Sequence, residues 1–239
     1  MLLKPAPKAF LFDFGETLFS PLPDNYERQN LLKVKRDLGV EIGDEDFVAR
    51  YRSFKRKTTK TFSSRSFFLH RDMIASALTN YLNTLGFDSV ESVVEQYCRA
   101  QRLAVTDHLR PRTGCVTMLS RLRQYGLTLG IVSNIDNDWL DPLIQRFNLK
   151  DWFDLILTSE TAQSCKPDRK IFDLSVNQMG VTPDQCVFVG DSEINDVLGA
   201  KQAGMRTIRF IGENPDEESV ANVKVRSLAE IADLIQSLR

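Results

Sequence analysis

Residues 185–212 read QCVFVGDSEINDVLGAKQAGMRTIRFIG. Two short apolar runs, 185–191 and 205–212, flank a helical pattern over 193–203. Apolar runs of this length, closed by polar residues or glycine, mark strands buried on both faces of a parallel sheet. The same run recurs outward from this stretch: AFLFDF (9–14), LTLGIVSN (127–134), FDLILTSE (153–160) and, as a candidate sixth, NVKVRSL (222–228). Helical patterns lie between them. In 113–125, Val116, Leu119 and Leu122 fall at helical spacing, with Gly126 as a C-cap. Residues 168–179 read similarly. The chain closes on SLAEIADLIQSLR, where Leu228, Ile231, Leu234, Ile235 and Leu238 make one apolar stripe. Strands alternating with helices predict a doubly wound α/β fold with a Rossmann-like parallel sheet.

The alternation breaks after the first run. From about residue 19 to residue 110 the sequence reads as helices over 24–38, 44–59, 66–85 and 88–108, with Gly39 and Gly86 as stops. The expected organisation is a core of residues 1–18 and 111–239, with an all-helical domain, 19–110, inserted after strand one.

The 239 residues carry 31 Lys and Arg against 32 Asp and Glu, a formal charge of −1, and 42% are hydrophobic. That composition excludes disordered, collagen-like and disulfide-scaffold proteins, and near-neutrality argues against nucleic-acid or membrane-surface partners. The total conceals an asymmetry. Residues 19–110 hold 15 basic and 12 acidic side chains, net +3, which leaves −4 for the rest. Arg50, Arg52, Lys55, Arg56, Lys57, Lys60, Arg65 and Arg71 occur with no acid among them. Such a segment either draws an anionic substrate or is a solvated helix face. Cys98, Cys115, Cys165 and Cys186 form no CxxC pair, so no zinc site is expected. The apolar run before Asp13 is too short for a secretory signal, and none approaches the roughly 18 residues of a membrane span. The expectation is a soluble, cytoplasmic protein with reduced thiols. Its oligomeric state is not legible.

Ligands of open parallel sheets bind beyond the carboxyl ends of the strands. Those ends carry Asp13, Ser133-Asn134 and Gly190-Asp191, with Asn195 and Asp196 following and Lys166-Pro167-Asp168 in a nearby loop. Hard oxygen donors of this kind can hold Mg²⁺, while Ser, Lys and backbone N–H groups can hold phosphate. A carboxylate placed between the two can attack phosphorus.

Four stretches, FDFGETL (12–18), IVSN (131–134), CKPDRKIF (165–172) and GDSEINDVLGAKQAGM (190–205), stand in order at strand ends or in the loops that follow. With them the chain resembles the haloacid dehalogenase-like (HAD) hydrolases, and its helical insertion resembles the C1-type cap of their phosphoglycolate phosphatase and dehalogenase branch. The resemblance implies Mg²⁺-dependent hydrolysis of a small phosphorylated metabolite through an aspartyl-phosphate. Asp13 would be the nucleophile. Ser133, Asn134 and Lys166 would hold the phosphoryl group. Asp13, Asp191, Asp196 and the Gly15 carbonyl would ligate the metal.

One position departs from the pattern. Where the family's phosphatases carry a second Asp that protonates the leaving oxygen and activates water, this chain has Gly15. Such general acid–base help is typically worth about 10²–10⁴-fold. Glu16 is the candidate replacement. The alternatives are a non-catalytic or weakly active phosphate binder, and a dehalogenase. The family's dehalogenases also lack that second Asp, but Asp191 and Asp196 favour metal-dependent chemistry. Phosphonate-cleaving relatives use a cap lysine, and Lys55, Lys57 and Lys60 lie in this cap. His70 and His108 read as structural or surface residues, Trp139 and Trp152 as packing, and the cysteines as small buried hydrophobes.

Overall fold

The computed structural model describes residues 6–23, 25–212 and 218–236. Among these, six strands form one sheet: β1 (Ala9–Phe12), β2 (Thr128–Ser133), β3 (Leu155–Thr158), β4 (Cys186–Gly190), β5 (Arg206–Phe210) and β6 (Val223–Val225). Their order is β3-β2-β1-β4-β5-β6, and every pairing is parallel. The four-residue β1 is central and wholly buried. Its pleat explains the unbroken apolar run. Phe10 and Phe12 join one core with Ile131, Val189 and Ile208, while Ala9 and Leu11 join another with Val132, Leu157 and Phe188.

Helices cover both faces. The insertion supplies α1 (Asn25–Asp37), α2 (Asp44–Phe62), α3 (His70–Asn83) and α4 (Glu91–His108). The core supplies α5 (Cys115–Gln124), α6 (Asn137–Arg146), α7 (Ser159–Ala162), α8 (Arg169–Met179), α9 (Gly199–Gln202) and α10 (Leu228–Gln236). Leu119, Leu122, Leu140, Ile231 and Ile235 pack on the Phe10 face, and Ile171, Phe172 and Ala200 on the Leu11 face. Helices α1–α4 bury a core of their own around Leu31, Phe47, Tyr51, Leu78, Tyr81 and Tyr97, where the Tyr97 hydroxyl donates to Tyr51 at 3.2 Å. Each such side chain taken from water contributes roughly 1.5–3 kcal/mol before conformational entropy is counted. The chain enters and leaves this bundle side by side: Ser20 N–H donates to Arg110 O and Arg112 N–H to Leu18 O, both at 2.9 Å.

Three local expectations need correction. Val116 is 54% exposed, and the inward stripe of α5 runs through Cys115, Met118, Leu119 and Leu122. Val116 lies about 100° around the helix from Cys115, off the buried face. Residues 193–203 are not one α-helix. Glu193–Leu198 form a π-turn and α9 follows, because Ser192 Oγ caps Asn195 N–H while the Asp196 carboxylate accepts from Ser192 N–H. Such π-turns favour functional sites. The run at 153–160 gives strand only to Thr158, whose hydroxyl then caps α7. Asp24 and Leu238 of the expected helices lie outside the described residues. Among those residues, no helix is long and apolar enough to cross a membrane.

Candidate active site

The carboxyl ends of β1, β2 and β4 meet at Asp13. Its N–H donates to Val189 O at 2.9 Å, which continues the parallel ladder one residue beyond β1 and fixes where the side chain starts. Asp13 Oδ1 accepts from Ser133 Oγ at 2.9 Å and from Lys166 Nζ at 2.6 Å. The same ammonium donates to Asp196 Oδ1 at 2.6 Å and lies 5.2 Å from the Phe188 ring centroid. Asn134 holds the lysine in place through its main chain, donating from Nδ2 to Lys166 O at 2.9 Å and accepting from Lys166 N–H at 2.7 Å. The structure thus brings together Asp13, Ser133, Asn134, Lys166 and Asp196, which are distant in sequence.

Asp191 completes a cluster. Ligand oxygens of Asp13, Asp191 and Asp196 lie within 4.8 Å of one another. Three carboxylates around one ammonium leave surplus negative charge in a poorly solvated place. Burial, then the charges of Asp13 and Asp196, push Asp191 up to about 7, although the Thr17 hydroxyl donates to it at 3.0 Å. Burial likewise raises Asp196 to about 6 while Lys166 pulls the other way. Burial opposes charge on Lys166, but Asp13 and Asp196 outweigh it and push it up to about 12. Gly190 is what lets Asp196 sit there: a Cβ at that residue would stand 2.3 Å from the Asp196 carboxylate. Thr17 went unnoticed in the sequence, although it lies inside the first motif. Asp168, by contrast, accepts from Lys170 N–H and caps α8.

Gly15 and Glu16 form the turn after β1. A Cβ on Gly15 would meet nothing within 4 Å. Glu16 is exposed, has φ +58° and borders the cavity, and its carbonyl accepts from the Arg112 guanidinium at 2.8 and 3.1 Å.

A cavity of about 680 Å³ opens above Asp13, between the sheet ends and the inserted helices. Two residues read as structural or packing, His70 and Trp139, line it. So does Gln101, on which the sequence carried no signal. His108 does not act alone: its Nδ1 is 2.9 Å from the Tyr26 hydroxyl, with the rings 4.0 Å apart. Much of the basic segment is engaged. Glu27 pairs with Lys55 and, at 3.6 Å, with Arg52, and Lys57 lies over Phe54. Arg71 bridges to Glu160 at 2.9 Å and Asp138 at 3.3 Å on the core. The inserted helices are fastened at the same place. Asp136, fully buried at the start of α6, accepts the N–H groups of His70 and Arg71 at 2.8 Å each, and Cys165 N–H donates to Ser66 O at 2.7 Å. Asp136 carried no mark in the sequence. The four cysteines are free, and Cys98 is only partly buried.

An anchored carboxylate with a fixed ammonium and hydroxyl on one oxygen, beside two further carboxylates, suits nucleophilic attack on an anionic centre near a hard cation. The family model for haloacid dehalogenase-like hydrolases matches residues 11–210. A glyceraldehyde 3-phosphate phosphatase of Methanocaldococcus jannaschii is 25% identical over 241 residues, covering 97% of this chain and 98% of the relative. The magnesium-bound HAD hydrolase YfnB of Bacillus subtilis superposes with a TM-score of 0.74 at 18% identity, over 96% of this chain and 99% of that one. The L-2-haloacid dehalogenase of Xanthobacter autotrophicus does so at 0.72 and 21%, over 98% and 100%. The chain belongs to the haloacid dehalogenase-like hydrolases.

Proposed function

We propose that this hydrolase is a Mg²⁺-dependent phosphatase acting on a small phosphate monoester through an aspartyl-phosphate on Asp13. The seat of Asp13 carries the reading: Ser133 and Lys166 both donate to its Oδ1, at the floor of a cavity it shares with Asp191 and Asp196. The phosphatase relative supports it. The carboxylate cluster fits a hard divalent cation, since its crowding disfavours charge on Asp191 and Asp196 when no cation is near. Asp13, Asp191, Asp196 and the Gly15 carbonyl would hold Mg²⁺, which when bound offsets the repulsion between carboxylate and phosphate.

In this reading an Asp13 oxygen attacks phosphorus in line as the bond from phosphorus to the ester oxygen breaks. Lys166 and Ser133 stabilise the charge on the nucleophile and on the transferring group. Water then attacks phosphorus, phosphate leaves and Asp13 is restored. The departing alkoxide takes up a proton, and with Gly15 in place Glu16 is the carboxylate on that turn able to supply it. Helices within 19–110 act as the cap that excludes water while the acyl phosphate exists. The free cysteines fit a reducing, cytoplasmic setting.

The test is phosphate release from a panel of phosphomonoesters, with Mg²⁺ and with a chelator. Release is expected only with the metal, and Glu16→Gln is expected to slow it. Undiminished turnover of that variant removes Glu16 as the acid. The second reading, a phosphate-ligand binder with little or no turnover, rests on Gly15. It prevails if Mg²⁺ binds but no ester is cleaved. Chloride release from 2-chloropropionate without metal would instead establish dehalogenation.

A further inference from the structure

The cavity is larger than a phosphoryl group with a triose requires. Its volume of about 680 Å³ is that of sites which enclose much larger organic ligands. Its two ends differ in chemistry. The sheet end holds the carboxylates and Lys166. The cap end draws its lining from residues 20–109: Phe68, Met73, Val105 and Leu109 beside Tyr26, Thr59 and the exposed Arg65. The nearby charges of Glu27, Lys55 and Arg52 are already paired with one another. One buried polar atom of this lining, Gln101 Nε2, lacks a hydrogen-bond partner, whereas the buried His70 Nδ1 lies 4.0 Å from Asp136 Oδ1. Gln101 itself is buried, on a helix face that packs inward. Buried polar atoms are nearly always satisfied, so an unpaired amide lining a cavity points to a ligand that completes it.

We propose that the cap end is a leaving-group subsite for phosphate monoesters of a ring-bearing alcohol that offers a carbonyl or hydroxyl oxygen to Gln101 Nε2. This rests on the reading above, in which the phosphoryl group sits on Asp13. Phe68, Met73, Val105 and Leu109 offer a ring apolar contact that a polyol would not use.

The experiment is calorimetric titration of the full chain in Mg²⁺ with three inert phosphonates: methylphosphonate, benzylphosphonate and a benzylphosphonate bearing a ring carboxamide. The ring is expected to tighten binding about tenfold or more over methyl, and the carboxamide a further roughly 3–10-fold. In Gln101→Met the carboxamide gain disappears while methylphosphonate binds as before. Thermal unfolding supplies a second readout. Relieved of an unpaired amide, ligand-free Gln101→Met is expected to have a Tm at or above that of the wild type, whereas a structural glutamine would lower it. Binding of all three ligands within twofold, or a carboxamide gain that persists in Gln101→Met, overturns the subsite alone. Failure of all three to bind overturns the phosphoryl-site reading and the subsite with it. The wild-type series decides the ring preference even if the variant does not fold.

Discussion

Asp13 and Asp136 are both aspartates just beyond neighbouring strands of one sheet, and their surroundings put them to opposite uses. Asp13 takes its hydrogen bonds from side chains, Ser133 and Lys166, and faces a cavity beside two further carboxylates. Asp136 is sealed from solvent and takes its hydrogen bonds from the backbone N–H groups that open α3, with the Arg71 guanidinium 3.7 Å away. Around Asp13 like charges crowd and solvent can enter, so its electrostatics remain to be completed by a ligand. Around Asp136 the carboxylate is already matched by donors, so it acts as a latch between α3 and the sheet. Partners, rather than residue type or position on the strand, separate a carboxylate left open to the cavity from one sealed into the structure.

The two should therefore respond oppositely to mutation. Asp13→Asn is expected to lower phosphate release by about 10⁴-fold or more with little change in Tm, because the amide oxygen can still accept from Lys166. Comparable turnover by this variant would break the comparison. Gly15→Asp tests the missing proton carrier. The open space at its Cβ should accept the side chain, and turnover should rise by up to about 10²–10⁴-fold. No gain, in a variant whose Tm is unchanged, would show that protons already move by another route. Gly190→Ala drives a methyl group into the Asp196 carboxylate and should cost about 10²-fold in turnover, with weaker Mg²⁺ binding by titration. The smallest expected effect on catalysis belongs to Asp136→Ala. It should lose about 2–3 kcal/mol of stability, a fall of roughly 4–12 °C in Tm, with kcat changed only a few-fold. An Asp136→Ala enzyme with wild-type Tm and abolished turnover would reverse the assignment.

Much of the Asp13 region is legible in the amino-acid order alone. β1, β2 and β4 are buried on both faces, so each prints as a continuous apolar run, and the first polar residue after it marks the rim. Lys166 and Asp196 follow in motifs whose order shows that they converge, although not that one ammonium joins two carboxylates. Legibility ends where local pattern and three-dimensional demand diverge. Val116 has the hydrophobicity of a core residue but the wrong angle on its helix. Residues 193–198 have helical composition, yet they widen into a π-turn because Ser192 and Asp196 bond each other's neighbourhood.

The parallel sheet, the helices between β1 and β2 and the side chains at the strand ends can all be read from the order of residues. Those features arise from burial repeated at short range and from residues a few positions apart. What stands across the cavity depends on how distant segments pack. His70 and Gln101 sit on different helices, and each faces inward because α1–α4 pack around their own buried tyrosines and because Asp136 fixes the start of α3. No local period encodes that placement. It follows from how separate hydrophobic cores are held against each other, and it leaves the Gln101 amide nitrogen unpaired at the cavity.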